Sequence, residues 1–356
     1  MNPINGSTTP APASLTRQGQ TALSGKPSIQ RSTPTSRITG VVALAVVVVL
    51  GLAPWWAGRA NLRLFGEFYT FLALAGLWNL LGGFAGLVSV GQQAFVGFGG
   101  YVLFALAILA GASPLLSIAI AGVLGVVVAL PMAKLLFRLQ GAYFTIGTWV
   151  AAEVFRLGFS QFASLGGGSG TSLPAGIVTG VASSREMREW LIYWIALALL
   201  TLTFAFIVLL LRSRTGLALT AIRDSEVASE SLGVDIQRIK LAVYAAVAGL
   251  TSMVGALIFL QKLRISPEAA FSVNDWTAYV IFMVVIGGIG SIEGPLVGAL
   301  VFFALRETLA NLGSFYLLVL GAIAIAVMLK TPRGLWGYFE QRFGVSLVPI
   351  RRRVVT

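Results

Sequence analysis

Ten predominantly apolar runs, several close to twenty residues long, occupy most of this chain: 38–57, 64–83, 87–110, 114–137, 141–160, 190–211, 239–261, 276–291, 295–310 and 314–330. About 20 apolar residues wound as a helix match the roughly 30 Å hydrocarbon core of a bilayer. Lipid offers no hydrogen-bond partner, so each backbone group must be paired within a helix or around a closed barrel. The runs are uniformly apolar and do not alternate, which argues against a barrel. The expected fold class is therefore all-α: a polytopic integral membrane protein with about 8–10 transmembrane helices, broken or half helices included. A hydrophobic content of 57%, only 11% charged residues and a mean hydropathy of +0.87 agree.

One polar stretch interrupts this pattern. Residues 212–240, RSRTGLALTAIRDSEVASESLGVDIQRIK, carry nine charged side chains between two apolar runs. At roughly 2.5 to 3.5 kcal/mol per charge at a helix centre, burying them in hydrocarbon would cost more than about 20 kcal/mol. The segment must lie in water. Ser225 is placed to cap a short helix, and Glu226 in its first turn suits the positive helix end. Gly233 supplies the stop, because glycine tolerates a left-handed backbone. A two-turn amphipathic helix held between two spans suits docking into a partner's groove. A solvated connector is the plainer alternative.

The remaining organisation follows from composition. Residues 1–37, rich in Ser, Thr, Pro and Gln, read as a disordered cytosolic tail. Residues 38–335 form the transmembrane domain, and 336–356 a basic cytosolic tail. With the N-terminus inside, the tail, the turn at Lys134 and Arg138, the 212–240 loop and the C-terminus hold 17 of the 25 Lys and Arg residues. That bias supports both termini inside. It also accounts for the net charge of +12 without nucleic acid as a partner. The chain has no His and no Cys, which disfavours zinc, thiol and triad chemistry. It has no G-x-x-x-x-G-K-[ST] phosphate loop, so it cannot bind and split ATP by that route. No catalytic residue, metal or cofactor of its own is expected.

Two glycine-rich stretches lie far apart in the chain. GGFAGLVSVGQQAFVGFGG (82–100) sets Ser89, Gln92 and Gln93 among apolar residues, and GGIGSIEGPLVG (287–298) holds Glu293 and Pro295. Broken segments in each half of a membrane protein point to a transport path, since irregular backbone is tolerated only where it is buried or lines a cavity. Close helix packing explains the glycines as well or better. Thr145 and Thr148 offer hydrogen bonds within the bundle, as does Asn79, whereas Glu153 and Arg156 are spaced to pair across one turn. The path candidates are Ser89, Gln92, Gln93, Thr145, Thr148 and Glu293.

Taken together, these residues resemble a known family. GLALTAIRDSEVASESLGVDIQRIKLAVYAAVAGLTSMVGAL, then ISPEAAF and VVIGGIGSIEGPLVGAL, with WNLLGGFAGLVSVGQQAFVGFGGY and YFTIGTWVAAEVFRL upstream, are similar to the longer permease of LIV-type ABC importers for branched-chain amino acids. The resemblance spans about residues 64–335. It implies an ABC importer permease in a bacterial plasma (inner) membrane, with ATP bound by partner subunits. It also implies two ABC ATPase subunits, a second homologous permease, and a soluble periplasmic or extracellular substrate-binding protein. On it, Arg223, Asp224, Glu226, Ala228 and Gly233 occupy the ATPase-coupling positions. The general E-A-A-x-x-x-G pattern is altered, with Val227-Ala228-Ser229 at the aligned triplet. Gln92 and Gln93 stand where many relatives carry histidine. A permease for urea or short amides, and an ion-coupled carrier using Glu153, are the alternatives.

Overall fold

A computed structural model describes residues 28–30, 34–182, 184–309, 315–331, 333–343 and 353–355. Each of the ten apolar runs carries a helix. In chain order the helices are α1 (Pro34–Gly51), α2 (Arg59–Asn79), α3 (Gln92–Leu109), α4 (Pro114–Leu136), α5 (Ala142–Ser160), α6 (Ala175–Val181), α7 (Arg185–Arg212) and α8 (Arg214–Asp224). They continue with α9 (Glu226–Ser231), α10 (Ile236–Lys262), α11 (Pro267–Ala270), α12 (Tyr279–Gly287), α13 (Gly294–Leu309), α14 (Phe315–Lys330) and α15 (Gly334–Phe343). Among the described residues, seven helical stretches are long and apolar enough to cross a membrane: 59–84, 92–109, 114–136, 185–212, 236–262, 267–287 and 318–343.

Local chemistry sets the helix ends. Ser113, Ser184 and Ser213 each accept a bond from a backbone N–H of the turn they open, at Leu116, Met187 and Gly216. Asp235 does the same for α10 through Arg238 N. The expected run at 276–291 is the end of a longer stretch. Helical turns begin at Pro267 and pass through a π-helical turn at Asn274–Ala278 into α12. Its polar first half, with Glu268, Asn274 and Asp275, hid it from a hydropathy reading.

Helix α10 is the most enclosed span and packs on α3 and α4; α2 packs on α7, α12 and α13. Contact with α10 depends on glycine. A Cβ on Gly99 of α3 would lie 1.9 Å from the Ser252 carbonyl oxygen, and one on Gly255 of α10 would lie 2.2 Å from that of Val96. The core forms two apolar clusters. One includes Leu62, Leu165, Tyr193 and Phe271, the other Leu80, Phe84, Leu136, Leu211 and Leu219 at the opposite end of α2 and α7.

The longest connection, 161–184, is anchored. Its strand Thr171–Ser172 pairs antiparallel with Arg264–Ile265 just past α10, and Leu165 and Leu173 are buried. Residues 1–27 of the expected tail lie outside the described residues; Ser28–Gln30 pairs with Arg353–Val355, and α1 begins at Pro34. The expected boundary at 335 falls inside α15.

Candidate coupling and translocation site

The polar loop contains two helices. Helix α9 is capped by Ser225, whose Oγ accepts from Ala228 N at 3.3 Å, with Glu226 in its first turn. It stops at Gly233 (φ +79°), where Gly233 N donates to Glu230 O (2.9 Å) and Val234 N to Ser229 O (3.1 Å). Those two bonds are a Schellman motif. One face of α9 is fastened to the bundle: Ser229 is buried, and Glu226 is paired with Lys240, whose side chain is only 10% exposed. The other face presents Val227 and Leu232, 77% and 82% exposed. Ala228 and Asp224 are exposed beside them.

Immediately before this helix, Arg223 reaches inward. Its Nε and Nη2 donate to Asp224 Oδ1, and its Nη1 donates to the Gly83 carbonyl at 3.0 Å. Gly83 belongs to a π-helical turn, Leu80–Phe84, in which α2 comes undone. From Ala85 to Gly91 the backbone is irregular before α3 begins at Gln92.

Buried backbone needs partners, and several expected path residues supply them. Thr145 Oγ1 donates to Val88 O (2.8 Å), and Thr148 Oγ1 accepts from Val90 N (3.0 Å). Ser89 Oγ accepts from Gly91 N, Gln92 Nε2 donates to Leu74 O, and the Trp78 indole donates to Ser89 O. Gln93 accepts from Thr277 Oγ1. Helix α5 therefore satisfies backbone groups of the first break at Val88 and Val90. Gln92 Oε1 and Thr251 Oγ1 are buried without partners among the described residues, beside a cavity of about 20 Å³ lined also by Ser89. That is space for a single water.

The second break, Gly288–Glu293 between α12 and α13, sits directly on the first. Gly290 N donates to Asn79 Oδ1 (2.8 Å) and Asn79 Nδ2 donates to Ser291 O (2.7 Å), so one buried side chain ties the two together. A Cβ on Gly83 would lie 2.6 Å from Gly290 N. Glu293, half-buried, uses its carbonyl to start α13 at Leu296 and Val297. Helix α15 closes the far side, with Gly334 packed on Gly288. Gly294 and Gly298 pack against Gly288 and Met283 backbone, which is the close-packing role.

The expected residues thus form a connected assembly. Ser89, Gln92, Thr145 and Thr148 surround the first break, Gln93 points to Thr277, Glu293 lies on the second break, and Arg223 enters from the polar loop. Asn79 is the central member that a sequence reading leaves among generic polar positions. Its one signal is isolation: an amide in an otherwise apolar helix. Glu153 and Arg156 pair at 2.5 Å, and Arg156 also meets Glu268 at 3.5 Å.

A multi-pass helical membrane protein, with two broken segments tied to a polar loop, is the class this architecture defines. The family described as "Branched-chain amino acid transport system / permease component" matches residues 60–328. The high-affinity branched-chain amino acid transport system permease protein LivM of Escherichia coli K12 is 26% identical over 342 residues, 90% of this chain and 80% of that one. LivM of Salmonella typhimurium is 26% identical over 331 residues, 87% and 77% of the two chains. The probable LivM of Methanocaldococcus jannaschii is 30% identical over 200 residues, 55% and 56% of the two. No solved structure matches. The chain belongs to this family: it is a permease component of a branched-chain amino acid ABC transport system, and is not itself catalytic.

Proposed function

We propose that α9 is the docking element for an ATPase subunit, and that Arg223 and Asn79 carry its displacement to the two broken segments. The single observation behind this reading is the Arg223 Nη1 bond to Gly83 O, which links the polar loop to the break that Asn79 joins to Gly290 and Ser291. Of the coupling residues, Asp224 and Ala228 lie on the docking side, Gly233 ends the helix, Glu226 fastens it to Lys240, and Arg223 links it to the first break. Val227 and Leu232 supply the apolar contact of the docking side, because exposed apolar side chains ringed by charge are typical of interface centres.

In this reading both termini and α9 face the cytosol of a bacterial cell, as the Lys and Arg distribution favours. Two ATPases, a second homologous permease and a soluble binding protein complete the importer, with the anchored 161–184 connection on the outer face. Ser89, Gln92, Gln93, Thr145, Thr148 and Glu293 act at the path by setting the shape of the breaks that border it. Co-purification tests the docking step. ATPase subunits should follow the wild type and be lost with Leu232→Asp, which alters only an exposed side chain. Retention of ATPases by Leu232→Asp and by Gly233→Pro would refute it.

A further inference from the structure

At the end of the bundle opposite α9, the starts of α2 and α7 and the end of α10 enclose a cavity of about 350 Å³. Arg63, Arg185 and Arg188 line it against a single acid, Glu189, with Gln261 beside them. Three cations against one anion leave two positive charges unbalanced within the cavity wall. Glu189 Oε1 accepts from Arg63 (2.5 Å) and Arg185 (3.3 Å). Its Oε2 is buried with no partner among the described residues, on a side chain only 9% exposed. Arg188 also has no ion pair among the described residues. Among the described residues, one cavity wall therefore offers a cation without an ion pair and a buried acceptor without a donor.

A second feature fixes the depth of this cavity. Trp55, Trp190 and Trp194 cluster there with ring centroids 5.9 to 6.2 Å apart, and the Trp194 indole donates to Gly51 O. Clustered tryptophans mark the headgroup level of a bilayer. Trp190 is the next residue after Glu189, so the cavity and the cluster share one turn of α7. Arg188 and Arg185 suit phosphate oxygens, whereas Glu189 Oε2 needs a donor.

We infer that this cavity binds the headgroup of a phospholipid that carries a hydrogen-bond donor beyond its phosphate. The phosphate rests on Arg188 and Arg185, and an ammonium or hydroxyl of the same headgroup donates to Glu189 Oε2. Ethanolamine and glycerol headgroups meet that description. Choline does not, because its quaternary nitrogen has no N–H.

Native mass spectrometry of the purified full chain, titrated with dioleoyl phospholipids of the three headgroups, tests this. Ethanolamine and glycerol lipids should be retained about tenfold or more better than choline lipid, the scale of one charge-assisted hydrogen bond. Arg188→Gln, which disturbs no ion pair among the described residues, should weaken both preferred lipids about tenfold. Arg138→Gln at the other end of the bundle should leave them unchanged. Equal retention of the three headgroups, or unchanged retention in Arg188→Gln, would overturn the inference. Displacement of the bound lipid by inorganic phosphate would overturn it by assigning the cavity to a free anion, and displacement by L-leucine would overturn it by assigning the cavity to a zwitterionic solute.

Discussion

Asn79→Leu removes the bridge between the two broken segments while keeping the branching and heavy-atom count of the side chain. Asn79 is 2% exposed, and its Oδ1 and Nδ2 contact Gly290 N and Ser291 O at 2.8 and 2.7 Å. The substitution leaves the partly buried Gly290 N and Ser291 O without partners, at up to about 1 to 3 kcal/mol each. Because both groups keep some access to solvent, the total is about 2 kcal/mol or a little more. If the bridge holds in one transport conformation and opens in another, the same loss shifts their ratio by roughly thirtyfold or more. The assay has two arms: thermal stability of the purified permease, and leucine uptake by proteoliposomes holding the permease, ATPases and binding protein. Stability should fall and uptake should drop at least tenfold, while ATPases still co-purify, because α9 is untouched. Wild-type uptake and stability in Asn79→Leu would refute the bridge.

Three further outcomes follow from the geometry. Gly233→Val should weaken ATPase co-purification, since φ of +79° costs a branched residue about 1 to 2 kcal/mol, whereas Gly233→Asn should be tolerated; nothing within 4 Å would meet the new Cβ, so only backbone strain acts. Gly99→Ala should cost about 3 kcal/mol or more and sharply lower the yield of folded protein in detergent, because its Cβ would lie 1.9 Å from Ser252 O. Glu226→Gln leaves the mostly buried Lys240 unpaired. Because Glu226 is 58% exposed, the loss should be only about 1 to 2 kcal/mol, seen as faster proteolysis or hydrogen exchange over 226–240 with the rest of the bundle unchanged.

How far the sequence reaches depends on the range of the interactions. The α9 cap and stop are local: Ser225, Glu226 and Gly233 each act within a few residues, so the helix emerges where expected. The membrane spans are also local statements, because hydropathy averages over adjacent residues. The bridge is not. Asn79 finds its partners 211 and 212 positions away, and Arg223 finds Gly83 140 positions away, separations that no spacing rule reaches. Thr145 and Thr148 stand out in the sequence as polar residues in an apolar helix. Their job of satisfying backbone at 88 to 90 becomes visible only when α5 is laid beside the first break. The glycines serve two purposes at once, turn at Gly290 and close packing at Gly298, and spacing alone does not separate them.

The most direct test of the link between polar loop and broken segments is the ratio of leucine imported to ATP hydrolysed, in proteoliposomes carrying the complex with Arg223→Met. That substitution removes the bond to Gly83 O and leaves the exposed face of α9 intact. Hydrolysis should persist while the ratio falls at least tenfold. A ratio equal to that of the wild type would contradict the account.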